Sequence, residues 1–170
     1  MERKNIITFK GSPMTLVGKE LQLGQKAPDV TLTDVGMASV KLSSYAGKVT
    51  ILSCVPSLDT GVCDIQTRKF NEKAAGLGKD VVILTISMDL PFGQKRWCGA
   101  AGVDRVKTLS DYKGGQFAEA YGLLIKEWHL IARAVIVLDK NQIVRYIQIV
   151  PEISTEPDYD AALEAVKPLL

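Results

Sequence analysis

Charge of one sign, long hydrophobic runs and metal-binding side chains are all scarce in this chain. Its 21 Lys and Arg against 19 Asp and Glu leave a formal net charge of +2 over 170 residues, and no block of like charge occurs. Nucleic-acid and membrane-surface binding therefore lack electrostatic support. No run of about 18 apolar residues exists, and Met1–Ile7 is too polar and then too briefly apolar for a secretory signal. A soluble, cytoplasmic protein is expected. His129 is the only histidine, and no two of the three cysteines, Cys54, Cys63 and Cys98, stand in a C-x-x-C relation. Both absences count against a metal centre. An odd cysteine count without an export signal also argues against a structural disulfide framework, which leaves redox chemistry standing.

What is present is a 46% hydrophobic composition, ample for one core, with no internal repeat, linker or low-complexity segment. Residues 1–170 read as a single domain. Lys4–Lys10, the turn signal Gly11-Ser12-Pro13 and Met14–Val17 suggest an N-terminal β-hairpin within residues 1–18, an appendage to the core. Val30–Thr33 and Ser39–Leu42 read as short extended pieces. From Val49 onward, buried-strand runs alternate with helical patterns, which signals βαβ units. The strands are Val49–Cys54, Val81–Ile86, Ala134–Leu138 and Ile143–Ile149, the last two joined by a hairpin turn at Asp139–Gln142. The helices run from about Cys63 to Leu77, Pro91 to Ala101, Gly115 to Tyr121 and Tyr159 to Val166. This pattern suits an α/β, thioredoxin-like fold: a central mixed sheet flanked by helices and closed by a hairpin.

The most informative stretch is Pro56-Ser57-Leu58-Asp59-Thr60-Gly61-Val62-Cys63, between the first strand of that alternation and its first helix. It puts a thiol in the first turn of a helix, where free N–H groups and the helix dipole favour negative charge. The thiolate is the attacking species, so the spacing reads as a device for a reactive cysteine. An ordinary thiol is roughly 7% ionised at about pH 7.4, so complete ionisation gains only about tenfold. Positioning and stabilisation of the leaving group must supply the rest. Thr60 is placed to cap the helix, its hydroxyl accepting from the helix start and facing a ligand beside the sulfur. Pro56 opens the loop without an N–H and can shield the sulfur from water. Each of these residue types is also common at ordinary strand–loop–helix junctions.

Pro56-x-x-x-Thr60-x-x-Cys63 resembles the active-site signature of the peroxiredoxins. The longer string from Val55 to Cys63, with Arg96-Trp97-Cys98-Gly99-Ala100 downstream, is similar to the thiol peroxidase branch of atypical two-cysteine peroxiredoxins. The likeness extends over the N-terminal hairpin, Leu109–Asp111, Ala120–Gly122 and Ala132–Val135. It implies that Cys63 is the peroxidatic cysteine, attacking a hydroperoxide to give a sulfenic acid, with Pro56 and Thr60 completing the pocket. Arg133 matches the family's active-site arginine, a fixed guanidinium suited to a sulfur anion and to peroxide oxygens.

A sulfenic acid must be trapped before further oxidation, and Cys98 is the candidate resolving thiol. The resemblance implies a reversible Cys63–Cys98 disulfide reduced by thioredoxin, a homodimer, and no metal, haem, flavin or selenium. Gly99 and Gly102 suggest a helix end that can fray, as the pairing of two helix-borne sulfurs requires. The chain departs from the family in carrying Trp97 where phenylalanine is frequent and Ala101 in place of a glutamate. Two other readings stand beside this one: a disulfide oxidoreductase of the same fold, weakened by Thr60 standing where C-x-x-C would put a cysteine, and a non-enzymatic redox sensor. Cys54 reads as an inert core thiol, His129 as structural or surface, and Arg68-Lys69 with Glu72-Lys73 as solvated helix face. Asp59 and Gln66 lie near the motif with no chemical step assigned.

Overall fold

Strand β5 (Val49–Cys54) is buried at every one of its positions, because it lies inside a sheet that is covered on both faces. The computed structural model describes all 170 residues. β5 pairs in parallel with β6 (Val81–Ser87), which pairs in parallel with β7 (Lys107–Ser110). On the other side β10 (Ala134–Leu138) runs antiparallel to β5, and β11 (Val144–Ile149) antiparallel to β10. β3 (Thr31–Asp34) and β4 (Ser39–Lys41) complete a mixed seven-stranded sheet of order β11-β10-β5-β6-β7-β3-β4.

Strand alternation divides the core in two. Val49, Ile51, Ile83, Val135 and Val137 pack with Phe70 of α1 (Gly61–Ala74), with Trp97 of α2 (Pro91–Ala101) and with Tyr159, Ala162 and Val166 of α4 (Tyr159–Val166). Leu52, Cys54, Leu84, Ile86 and Ile136 face the opposite side, where Phe117 of the five-residue α3 (Gln116–Ala120) is the helical contribution. Most of that second face is covered by a four-stranded sheet formed by β1 (Glu2–Phe9), β2 (Ser12–Val17), β8 (Leu124–Ile125) and β9 (Leu130–Ile131). No helix is long and apolar enough to cross a membrane.

The hairpin is therefore a wall of the core rather than an appendage. Ile7, Met14 and Leu16 are buried in the main apolar cluster. Gly18, at φ +107°, closes it down: a Cβ there would overlap the Glu119 carbonyl, so only glycine fits this approach. β7 escapes a reading from sequence because Leu109 is its only strongly apolar residue, and β8 and β9, at two residues each, are too short for any periodicity. The first helix starts at Gly61 and ends at Ala74, so Cys63 occupies its third position, as the motif spacing implies, although the helix stops earlier than Leu77.

Candidate active site

The loop from β5 to α1 is shaped from outside itself. Asp89, just beyond β6, accepts from Ser57 Oγ at 2.6 Å, the Leu58 N–H at 2.8 Å and Ser87 Oγ at 2.6 Å. Thr60 takes the N-cap position with extended backbone, φ −103° and ψ 147°. Its hydroxyl does not accept from the helix start, contrary to the expectation for a capping threonine; it donates 3.0 Å back to the Ser57 carbonyl. The loop already folds on itself there, with the Thr60 N–H also on Ser57 O at 3.2 Å, and this carries the hydroxyl away from the helix.

Cys63 is 0% exposed and packs with Val55, Leu58 and Trp97. Arg133, 2% exposed and directly before β10, brings a guanidinium to it across 70 residues of sequence: Nη2 donates to Sγ at 3.3 Å. Nε donates to the Ile153 carbonyl at 2.9 Å and Nη1 to Gln66 Oε1 at 2.8 Å. Gln66, 0% exposed, is held in turn by donating 2.9 Å to Ser53 Oγ of β5. Arg133 makes no ion pair, so the partners of this buried cation are two neutral oxygens and the sulfur.

Pro56, Thr60 and Arg133 line one cavity of about 320 Å³, together with Phe9, Trp128, Leu130 and Ile153; Cys63 does not line it and is joined to it through Arg133. Four of the predicted residues, Cys63, Arg133, Thr60 and Pro56, thus meet at one place. Cys98 does not join them. Its sulfur lies 3.6 Å from Thr108 Oγ1 and lines a different cavity of about 390 Å³, with Asp34, Tyr45 and Lys107. All three cysteines are free thiols, and partial burial pushes the Cys98 thiol up. The neighbouring side chain of α2 reaches the site instead: Trp97 Nε1 donates 3.0 Å to Asp64 of α1. Arg68 ties the same corner, donating 2.8 Å to Asp64 and 3.1 Å to the Ala101 carbonyl, with its guanidinium 5.7 Å from the Trp97 ring centroid. Arg68 is therefore more than solvated helix face.

Residues 22–163 match the Redoxin family model. The chain is 54% identical over 164 residues to a thiol peroxidase of Bacillus subtilis, covering 96% of this chain and 98% of the relative. It is 51% identical over 164 residues to that of Streptococcus pneumoniae, covering 96% of this chain and 100% of the relative. The chain belongs to the thiol peroxidase family of peroxiredoxins. Among solved structures, a peroxiredoxin-like protein from Aquifex aeolicus superposes with TM-score 0.91 at 40% identity, over 98% of both chains. A thiol peroxidase from Chromobacterium violaceum, at 19% identity over 95% of both chains, shares the fold with TM-score 0.85. The chain is thus a peroxiredoxin-type oxidoreductase of thioredoxin-like fold.

Within the enzyme, Cys54 is a 0% exposed core thiol that burial pushes far up, and His129 is exposed in the β8–β9 turn. Gln66 is the site residue that the motif alone did not disclose. It stands three positions after Cys63, hence on the same helix face, and an uncharged polar residue on a buried face was the available signal. Replacing Gln66 by Leu should cost about 1–3 kcal/mol, because a buried guanidinium N–H loses its acceptor; urea unfolding of the reduced protein measures it.

Proposed function

We propose that this enzyme reduces hydroperoxides through a sulfenic acid on Cys63 and a Cys63–Cys98 disulfide that thioredoxin then reduces. The observation that carries the reading is the Arg133–Cys63 contact at 3.3 Å, made by a buried cation that lines the cavity and forms no ion pair with a carboxylate. Of the three groups in contact with that cation, the sulfur is the one that can carry a counter-charge. The Cys63 thiolate attacks the terminal oxygen of R–O–OH, the O–O bond breaks, and the electron pair leaves on the second oxygen as alkoxide or hydroxide, which takes a proton to become alcohol or water. Arg133, which lines the cavity, is the donor for those oxygens, and the Thr60 hydroxyl, whose hydrogen is on the Ser57 carbonyl, offers its lone pairs to accept from the hydroperoxide O–H. The apolar walls Phe9, Trp128, Leu130 and Ile153 favour organic hydroperoxides over hydrogen peroxide, which has no apolar part to bury.

In the second half-reaction the Cys98 sulfur attacks the Cys63 sulfenic sulfur, displaces hydroxide as water, and forms the disulfide. A thioredoxin dithiol returns both thiols by supplying two electrons and two protons. Disulfide geometry needs Cα atoms about 4.4–6.8 Å apart, whereas Cys98 turns toward Thr108 and Trp97 occupies the Cys63 side. The last turns of α2 must therefore unwind, which releases Trp97 from Asp64 and Arg68 from Ala101. Gly102, at φ +65°, ends the helix in a left-handed turn from which unwinding can begin.

Thioredoxin-coupled NADPH oxidation should start on addition of cumene hydroperoxide and vanish in Cys63→Ser; undiminished turnover in that variant contradicts the assignment. Cys98→Ser should complete one rapid oxidation and accumulate a trappable sulfenic acid by mass spectrometry, while full-rate cycling would remove Cys98 as resolver. A single turnover of the wild-type protein in the same assay would instead favour a redox sensor. Trp97→Phe, which deletes the bond to Asp64, should raise the rate of disulfide formation about fivefold, the effect of one lost hydrogen bond. Stopped-flow quenching followed by thiol titration reads it, and a slower or unchanged step would show that α2 opening is not held by this contact.

A further inference from the structure

The N-terminal hairpin is fastened to the site by one carboxylate that the chemistry above does not use. Glu152 follows β11 in a segment that crosses the tip of the hairpin, where Thr8 and Glu152 form an isolated parallel bridge. Its Oε2 accepts from Thr8 Oγ1 at 2.8 Å and the Gly11 N–H at 3.1 Å. Its Oε1 accepts from the Lys10 N–H at 2.9 Å, the Ser154 N–H at 3.2 Å and Ser154 Oγ at 2.6 Å. Five donors thus converge on one half-buried carboxylate, and they hold it well below the usual carboxylate range. Lys10, at φ +49°, and Gly11, at φ +80°, turn two successive N–H groups toward it, an anion-holding turn.

The residues on either side of this knot line the reaction cavity. Phe9 stands between Thr8 and Lys10; Ile153 and Ser154 follow Glu152 directly; all three line the 320 Å³ cavity with Pro56, Thr60 and Arg133. Phe9 is further braced edge-on by Trp128, ring centroids 4.8 Å apart at 77°, and Trp128 is itself 38% exposed. The main-chain bonds Thr8 N–H to Pro151 O at 2.7 Å and Ile153 N–H to Thr8 O at 2.9 Å fix the register but bind neither Lys10 nor Gly11. Only the Glu152 side chain holds the turn beyond Phe9 to the segment that carries Ile153.

We propose that Glu152 is a specificity-determining positioning residue: by pinning the hairpin turn it keeps Phe9 in place as an apolar wall, and that wall favours hydroperoxides with a bulky apolar body. This rests on the reading of the Cys63 cavity as the hydroperoxide site. Glutamine at 152 would put an NH2 group in place of one oxygen, and the backbone N–H groups there, Gly11 on the Oε2 side or Lys10 and Ser154 on the Oε1 side, would lose their acceptor, because an N–H cannot accept in turn. The turn would then lose its side-chain tie to the segment that carries Ile153, and Phe9, still paired with Ser12 and braced by Trp128, would gain freedom relative to the Ile153 wall. Hydrogen peroxide is too small to use the wall, so its reduction depends on Phe9 far less than that of an arylalkyl hydroperoxide.

The test is a comparison of second-order rate constants for Cys63 oxidation by cumene hydroperoxide and by hydrogen peroxide, in the full-length reduced protein. The cumene-to-hydrogen-peroxide ratio should fall about tenfold in Glu152→Gln and in Phe9→Ala, the scale of one apolar wall. The double variant should show no lower ratio than Phe9→Ala alone. Glu152→Asp, which keeps the charge, should recover part of the ratio. Thr8→Val, which removes one donor and leaves the carboxylate, should move the ratio the same way by less and covers the case of a Glu152 variant that does not fold. An unchanged ratio with both rates falling together would place Glu152 behind Arg133 or general stability and overturn the proposal. A double variant with additive losses would overturn it as well. Failure of the underlying site reading is distinguishable, since Cys63→Ser would then still consume hydroperoxide.

Discussion

A buried guanidinium with no carboxylate in contact with it is the constraint around which the rest of this molecule is arranged. Taking a cation out of water is costly unless its N–H groups are met and its charge is balanced. Ile153 and Gln66 meet two faces of Arg133 with neutral oxygens, and the third face meets the sulfur of Cys63. Geometry follows from that allocation. Arg133 must stand at the entry of β10, Gln66 on the inner face of α1 and Ser53 at the end of β5, so that side chains distant in sequence close into one network. A planar fork with three fixed partners has little freedom left, which suits an electrostatic group that must already be in place as an O–O bond breaks.

The two thiols of the proposed cycle make opposite demands on the structure. Cys63 needs a rigid, dry surrounding, and it has one in Val55, Leu58 and Trp97. Cys98 needs a helix that can let go, and it lies in the last turn of α2 before a left-handed glycine. Trp97 belongs to both requirements. Its ring closes the pocket of Cys63 while its indole N–H ties α2 to Asp64, so the contact that shields the first thiol also restrains the second. The N-terminal hairpin adds a third level, because its apolar tip forms a wall of the cavity while its body, through Ile7, Met14 and Leu16, is part of the core.

Much of this was legible in the sequence where burial or spacing leaves one solution. β5 and β10 are apolar on both faces, and their bounds follow from composition alone. The motif from Pro56 to Cys63 places the sulfur in the first helical turn because its spacing admits little else. The end of α2 at Gly102, with Cys98 in its last turn, was equally readable. What escaped depends on partners far along the chain. Gln66 has a role only through Arg133, 67 residues away; Asp89 acts on a loop 31 residues earlier; Glu152 acts on a turn 141 residues before it. The Thr60 hydroxyl was misread for a related reason, since its direction is set by how the loop closes on Ser57 rather than by its cap position. β7 was hidden by polar residues that the neighbouring strands and helices bury.

The central claim is that the fixed fork of Arg133, and not its charge alone, drives the reaction at Cys63. Stopped-flow oxidation of Arg133→Lys measures this most directly, because the substitution keeps the charge and removes the planar geometry. In protein with native circular dichroism, the second-order rate constant with hydroperoxide should fall on the order of 10²–10³-fold, the scale of losing a positioned donor to the transition state. A rate constant within about twofold of the wild-type value would contradict the account.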